Sequence, residues 1–247
     1  MIGSILATIA ALSGQNAETA KPKVDRSGEA AFRALLAEIG EKQKYHGLIL
    51  KSTREAGKQD FYPEGSMEVW RDGDKLRVEF GDMWGTSLTL VSDGKQVLED
   101  SGTDPVVLRK PAKIPTEASS SLTSQGGASS PWFYLMEGPG LLDRLDKDKE
   151  ILPGSNPNSI VWDSTLFGKL TLTKVRDDKE LSVWEIEYDN MAFQKQMYSL
   201  YPEWFEAPDP TSRWRQKIVL SPTGRYPKGT FETKPAKGRP VQDLRKG

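Results

Sequence analysis

The sequence of 247 residues predicts an α+β chain, mainly antiparallel β, folded as a strongly curved, incomplete β-barrel with an N-terminal helix and a helical lid. Three observations predict this fold. Alternating strands joined by Asp-Gly turns fill residues 66–100, a second set of strand patterns fills 159–221, and an apolar, aromatic segment lies between the two sets. Strands joined by short turns form one antiparallel sheet, and a sheet of about ten strands curls. Its concave apolar face is then free to be covered by helices.

The composition excludes several classes of function. The chain has 34 Lys plus Arg and 35 Asp plus Glu, so it lacks the positive charge that a nucleic-acid partner requires. With no Cys and one His, disulfides, thiol catalysis and multi-histidine zinc sites are excluded. Hydrophobic residues make up 36%, which suffices for a core but not for a polytopic membrane protein. We expect neither a metal nor a cofactor.

Residues 1–17 are predicted to be a signal peptide, because they begin with an apolar, uncharged run too short to span a bilayer. Two features fit a signal peptide less well. No Lys or Arg precedes the run, and Gln15 occupies the −3 position for cleavage after Ala17. A buried N-terminal segment is the alternative. Residues 18–28 are interpreted as a linker to a single domain over 29–247, and export predicts a periplasmic location.

The N-terminal helix follows from a helical period over residues 29–44. Ser27 is placed to cap this helix. Its apolar residues lie on one stripe: Phe32, Leu35, Leu36 and Ile39. The period then changes, and residues 45–51 predict a first strand.

An antiparallel meander with one apolar face is predicted over residues 66–100. Asp72-Gly73 and Asp93-Gly94 are tight-turn signals between alternating segments. We predict that the apolar side chains on the concave face form a cavity wall: Met67, Val69, Leu76, Val78, Phe80, Leu88 and Leu90. A plain filled core is the alternative.

A long irregular loop is predicted over residues 101–130, with a Ser-rich part at 116–130. A short helix broken at glycines follows over 131–145, and it is too apolar to lie free in water. We predict that this helix is a lid, formed by Trp132, Phe133, Leu135 and Met136. Ordinary core packing is the alternative for these four residues.

Further strands are predicted over 159–163, 168–175, 181–188, 214–221 and 229–233. Residues 191–205 indicate either a helix or an aromatic-rich excursion. A closed, lipocalin-like barrel is the competing fold. Such barrels do not usually carry a long loop and a helix midway, so the incomplete barrel is preferred.

The sequence contains segments that partly match enzyme motifs, but none of them predicts an active site. Ser92–Lys95 fits the pattern Ser-x-x-Lys but lies between two strands, where it predicts a turn. His46 has no nucleophile elbow to serve, and it is interpreted as structural. Glu185, Glu187 and Asp189 alternate on one strand face, which is interpreted as a solvated edge strand rather than as a catalytic acid pair. We expect no enzymatic activity.

Taken in order, the segments resemble the periplasmic outer-membrane lipoprotein carrier family (LolA-like). The resemblance rests on a strand that ends at Arg71, and on residues 76–79, 90–95, 131–135 and 231–238. The sequence departs from the family pattern in four places, the first of which is the length of its Ser-rich loop. Asp72 replaces a proline after the arginine, Leu76 and Val78 replace aromatic residues, and 189–213 resembles an insertion.

The resemblance implies a monomeric carrier that binds the acyl chains of lipoproteins or lipids in an apolar cavity, for transfer to the outer membrane. An inner-membrane transporter and an outer-membrane acceptor are the implied partners. The resemblance also implies that Arg71 points into the cavity and, in the closed state, donates hydrogen bonds to the lid. A sensor of envelope lipids or lipoproteins with the same fold is the alternative.

Overall fold

In the computed structural model, the described residues are 24–82, 87–102, 105–110, 130–145, 147, 149–204, 206–223 and 225–245. The predicted signal peptide and residues 116–129 of the Ser-rich segment lie outside them. The helices are α1 (Glu29–Glu41), α2 (Pro131–Leu135), α3 (Gly140–Arg144) and α4 (Met191–Leu200). The first six strands are β1 (Lys44–Arg54), β2 (Tyr62–Asp72), β3 (Lys75–Asp82), β4 (Ser87–Ser92), β5 (Val97–Asp100) and β6 (Val106–Arg109). The others are β7 (Ile151–Pro153), β8 (Ser159–Ser164), β9 (Gly168–Asp177), β10 (Ser182–Tyr188), β11 (Arg213–Pro222) and β12 (Val241–Asp243).

The strands form one sheet in the order β12-β6-β5-β4-β3-β2-β1-β11-β10-β9-β8-β7. Neighbouring strands are antiparallel, except that β12 pairs with β6 in parallel. Strand β1 lies near the middle, where it joins a first meander, β1 to β6, to a second one, β7 to β11. Within the described residues the sheet is not closed, and β7 and β12 are its two edges.

The core lies on one face of this sheet. Buried side chains from Val97 in β5 to Ile151 in β7 belong to a single cluster, which also contains the apolar residues of α1, α2 and α3. Strands so far apart in the sheet can share one cluster because the sheet curves around the helices. The prediction of a mostly antiparallel, open and curved sheet is therefore confirmed.

Helix α1 buries its predicted stripe, Phe32, Leu35, Leu36 and Ile39. The residue at its N-cap is Gly28 rather than Ser27. Gly28 donates its N–H to the carbonyl of Ile151 at 2.8 Å, and a Cβ at position 28 would lie 2.5 Å from the carbonyl carbon of Leu152. Only glycine permits this approach. The last residues of the predicted linker therefore run against β7.

Several strand predictions differ from the structure. Strand β6 lies inside the predicted irregular loop, and β7 and β12, of three residues each, were not predicted. The strand predicted over 229–233 is wrong, because this segment forms turns with the hydrogen bonds Thr230 N–H to Pro227 O and Glu232 N–H to Gly229 O. Strand β10 is interior rather than an edge, and Glu187 on it pairs with Arg215 at 3.1 Å.

The segment between β10 and β11 contains both of the predicted alternatives, a helix and an irregular, aromatic-rich stretch after it. Helix α4 occupies its first half, and turns follow. Gln194 closes the segment on itself, because its amide donates to Asp189 O at 2.7 Å and accepts from Asp209 N–H at 2.9 Å. None of the helices in the described part of the chain is long and apolar enough to cross a membrane.

Candidate ligand-binding site

The seven residues of the predicted cavity wall lie together on the concave face of β2, β3 and β4. Cross-strand pairing arranges them in two full rows, Met67–Phe80–Leu88 and Val69–Val78–Leu90, with Leu76 in a third. None of the seven is more than 8% exposed. Strand alternation therefore produces the continuous apolar surface that the sequence predicts.

The apolar rows continue beyond the predicted wall. Ile49 of β1 pairs with Met67 on one side and with Ile218 of β11 on the other. Gly47 occupies the next row, where a Cβ would lie 2.6 Å from a methyl group of Leu220. The concave face is thus apolar across both meanders.

The four predicted lid residues lie against this surface and belong to the same cluster. Trp132, Phe133, Leu135 and Met136 are at most 3% exposed. The Trp132 ring is 6.1 Å from that of Trp184 in β10. Pro131 begins α2 at the position where a helix needs no N–H donor.

The lid also contacts α1 almost backbone to backbone. A Cβ on Gly40 would lie 3.3 Å from the Cα of Gly138, which itself has a φ of 74°. Glycine is favoured at both positions, at the first by close packing and at the second by the left-handed backbone. The short α2 is therefore fitted between α1 and the sheet.

Arg71 does not form the predicted hydrogen bonds to the lid. Its guanidinium, 8% exposed, donates to the carbonyls of Gly73 at 3.3 Å and Lys42 at 3.4 Å, and to Oε1 of Gln43 at 3.1 Å. These acceptors lie in the β2–β3 turn and between α1 and β1. Arg71 thus fastens the end of α1 to the sheet, because a buried guanidinium requires acceptors.

The lid is instead contacted by Tyr45, which sequence reasoning missed. The Tyr45 hydroxyl donates to Sδ of Met136 at 3.3 Å. Burial raises the pKa of Tyr45, and the nearby Arg71 guanidinium and Trp132 indole N–H lower it in part. Tyr45 therefore lies between Arg71 and the lid.

A second group of polar residues lies at the opposite end of the concave face, and we name it the polar end: Lys51, Glu64, Ser130, Tyr188 and Gln216. Gln216 is fully buried, accepts from the Ser130 hydroxyl at 2.7 Å and donates to the Tyr188 hydroxyl at 3.5 Å. The Lys51 ammonium lies 5.5 Å from the centre of the Phe80 ring. The apolar rows thus end in polar groups at this side.

Strand alternation was a sufficient signal for two of these residues. Lys51 follows Ile49 by two positions, and Gln216 precedes Ile218 by two, so both belong to the concave face. The sequence predictions omitted them because they considered only apolar side chains for this face.

The pKa values of two acidic side chains at the polar end are raised above their ordinary values. Burial raises the pKa of Glu64, and the attraction of Lys51 and a hydrogen bond from Trp214 oppose the rise. Burial also raises the pKa of Tyr188, and the Glu64 carboxylate adds to the effect. Glu64 is therefore harder to ionise in the folded chain than in the unfolded one.

We expect Glu64→Gln to stabilise the protein at pH 7. Because the pKa of Glu64 is raised on folding, its contribution to the free energy of unfolding falls as pH rises from its ordinary pKa through the raised one. Gln cannot ionise, so the variant should resist urea better than the wild type at pH 7 and no better at pH 4. Glu185→Gln on the outer face is the control. If Glu64→Gln gained more stability at pH 4 than at pH 7, the pKa of Glu64 would not be raised on folding.

His46 lies outside the concave site. On the outer face of β1 it stacks on Trp70 with ring centres 5.0 Å apart, and its Nε2 lies 2.7 Å from Oε1 of Glu68. Ser92–Lys95 forms the predicted turn, in which Oδ1 of Asp93 accepts the N–H groups of Lys95 and Gln96. No group of three or more His, Asp or Glu side chains in the described ranges is placed to hold a metal ion.

Comparisons with known proteins give weak likenesses. No family model matches the chain, and no curated protein matches it. Among solved structures, a DUF1329 family protein from Desulfovibrio piger has a TM-score of 0.35 and 9% identity, covering 85% of this chain and 98% of that one. The H1 crustacyanin of the lobster Homarus americanus has a TM-score of 0.22 and 8% identity, covering 89% and 88%. At these values neither likeness assigns the chain to a family.

Proposed function

We propose that this protein is a carrier that binds the acyl chains of lipoproteins or lipids on its concave face. One observation carries the proposal. The apolar wall on β2, β3 and β4 and the apolar side chains of α2 form a single cluster, so a short helix covers a surface that could equally contact hydrocarbon. Acyl chains would replace the side chains of α2 in this place.

Burial of the four lid side chains and burial of one acyl chain yield comparable free energies. Burying one large apolar side chain contributes about 1.5–3 kcal/mol, so the four side chains of the lid contribute roughly 6–12 kcal/mol. One acyl chain of about 16 carbons gains roughly 12 kcal/mol at about 0.8 kcal/mol per CH₂ group. Closure of the lid therefore offsets the gain from about one chain, so a ligand with two chains is bound with a surplus while the closing lid still favours its release.

The proposal also gives the carrier a cellular location and membrane partners. The order of segments resembles the LolA-like carriers, so we place the protein in the periplasm, loaded at the inner membrane and unloaded at the outer one. The proposal involves no catalysis and assigns no role to His46, which lies on the outer face beside Glu68 and Trp70.

The test is uptake and release of a diacylated lipopeptide. The full chain should bind a fluorescent diacylglyceryl-cysteine peptide as one complex and pass it to acceptor vesicles. Val69→Glu, which puts a charge on the wall, should abolish uptake, whereas Val175→Glu at a position that is 54% exposed should not.

The wild-type result alone decides the proposal, even if Val69→Glu does not fold. A wild type that takes up no lipopeptide overturns acyl binding. Uptake without transfer to vesicles supports a sensor rather than a carrier.

A further inference from the structure

A lysine lies at the end of the apolar surface on the concave face. Lys51 of β1 is only 6% exposed and follows Ile49 by two positions, so its side chain lies beside the last apolar row. Its ammonium is 5.5 Å from the centre of the Phe80 ring, which belongs to the cavity wall. A buried charge is costly unless a group of opposite charge accompanies it. A lysine in this place therefore requires an acidic partner.

In the structure Glu64 of β2 is such a partner. Lys51 pairs with Gly65 across β1 and β2, and the register of the two strands shifts directly after Lys51, next to Glu64. Burial raises the pKa of Glu64, although the attraction of Lys51 and a hydrogen bond from Trp214 oppose the rise. The pKa of the neighbouring Tyr188 hydroxyl is raised by burial and by the Glu64 carboxylate. Lys51 thus faces a carboxylate whose charge is disfavoured by burial.

An amide donor lies beside Lys51. Gln216 of β11 pairs directly with Lys51 across the sheet and is fully buried. Its Nε2 reaches the Tyr188 hydroxyl at 3.5 Å, longer than the usual range of about 2.7–3.2 Å for such a bond. An oxygen atom placed beside the Lys51 ammonium would therefore accept a shorter hydrogen bond from Gln216.

The same amide connects the polar end to the lid. Ser130 is the N-cap residue of α2, where a serine hydroxyl usually accepts an N–H of its own helix. The Ser130 side chain does not cap α2, and its hydroxyl donates instead to Oε1 of Gln216 at 2.7 Å. A ligand that displaces α2 from the apolar wall must also break this bond, so movement of the lid and the contacts of Gln216 are coupled.

We infer that Lys51 and Gln216 bind the carboxylate of a long-chain fatty acid whose chain lies along the apolar rows. This inference rests on the proposed function, because the chain must replace the side chains of α2. Just as α2 occupies the place of the chain, Glu64 occupies the place of the head group beside Lys51. A few polar groups at the end of an apolar site fix the orientation of a ligand. Of the cargo classes proposed above, the polar end thus favours a lipid with a free acid group.

The test compares dodecanoate with dodecanol, which share a chain length and differ in the head group. Calorimetric titration of the full wild-type chain should show at least about tenfold tighter binding of the acid, the ratio expected for a hydrogen bond to a charged group. Glu64→Gln should raise this ratio, because it removes the carboxylate that competes for Lys51. Lys51→Met combined with Glu64→Gln leaves neither charge unpaired, and it should lose acid affinity but keep alcohol affinity.

Lys217→Met is the matched control. Lys217 directly follows Gln216 in β11, so it lies on the outer face, where it is exposed. Its replacement removes the same charge from the neighbouring position and should leave the acid-to-alcohol ratio unchanged. Dodecyl phosphate serves as a second acidic ligand, and dodecanoate should bind more tightly, because the group that now faces Lys51 is a carboxylate.

The outcomes separate the two proposals. The inference is overturned by equal affinity of the wild type for acid and alcohol, by a ratio that does not rise in Glu64→Gln, or by tighter binding of dodecyl phosphate. In each of these cases the carrier function stands. A wild type that binds neither dodecanoate nor dodecanol, nor the lipopeptide, overturns the carrier function itself.

Discussion

Phe133→Ala should lower the free energy of unfolding by about 3–5 kcal/mol, the cost of truncating a fully buried phenylalanine. Phe133 is 0% exposed and belongs to the cluster that the lid shares with the sheet wall. The same change should tighten acyl binding by about tenfold or more, because the ligand then displaces a lid that is held less firmly. Urea unfolding measures the first effect, and titration with the fluorescent lipopeptide measures the second.

The control is Leu98→Ala. Leu98 is buried in a separate cluster with Val106 and Leu108, away from the lid. Its truncation should also destabilise the protein, by about 2–5 kcal/mol, but leave acyl affinity unchanged. If Phe133→Ala weakened acyl binding, the lid residues would be part of the ligand site rather than its competitor.

Arg71→Met should lower the free energy of unfolding by about 1.5–3 kcal/mol, because it removes the hydrogen bonds that a buried charged group makes to half-buried and exposed acceptors. The carbonyls of Lys42 and Gly73 and the amide of Gln43 all lose a partner. Arg71→Lys should recover only part of the loss, since one ammonium cannot span acceptors arranged around a planar guanidinium. Urea unfolding of the wild type, Arg71→Lys and Arg71→Met measures this expected order of stability.

The effect of Arg71→Met on ligand affinity distinguishes two roles. Since its acceptors lie at the end of α1 and in a turn, we expect acyl affinity to stay within about twofold of the wild type. An increase as large as that of Phe133→Ala would instead restore the role implied by the family resemblance, in which Arg71 holds the lid closed.

Local patterns in the sequence predicted most of the sheet and its inner face. Alternation identified β2, β3 and β4 and the seven apolar residues of their concave face, because side-chain direction in a strand is fixed by position. The stripe of α1 was predicted from its helical period, whereas α2 was predicted from its apolar, aromatic composition and the glycines that follow it.

The missed features depend on distant partners. Strands β7 and β12 have three residues each, too few to show a period, and β12 exists because it pairs with β6 across more than a hundred residues of sequence. The error at 229–233 has a related cause. Phe231 is half-buried and packs against Tyr226, with ring centres 5.2 Å apart, and turns rather than a strand hold it there.

The partners of Arg71 and of the indoles were also beyond the sequence. Alternation places Arg71 on the concave face, but its acceptors come from the end of α1, whose position depends on how the helix packs. Likewise, nothing in the residue type shows that the indole N–H of Trp184 donates to the Ser182 hydroxyl, or that the Trp132 indole lies against the Tyr45 hydroxyl.

The position of β1 between β2 and β11 governs how the chain can reach this fold. Its pairing with β2 needs only a hairpin, whereas its pairing with β11 joins Tyr45 to Pro222, almost at opposite ends of the chain. Such non-local contacts pay loop-closure entropy first and make folding slow. Until β11 arrives, the long edge of β1 is unpaired and open to other chains. We therefore expect β1 to pair with β11 late in folding, and until then the edge of β1 must be protected from pairing with other chains.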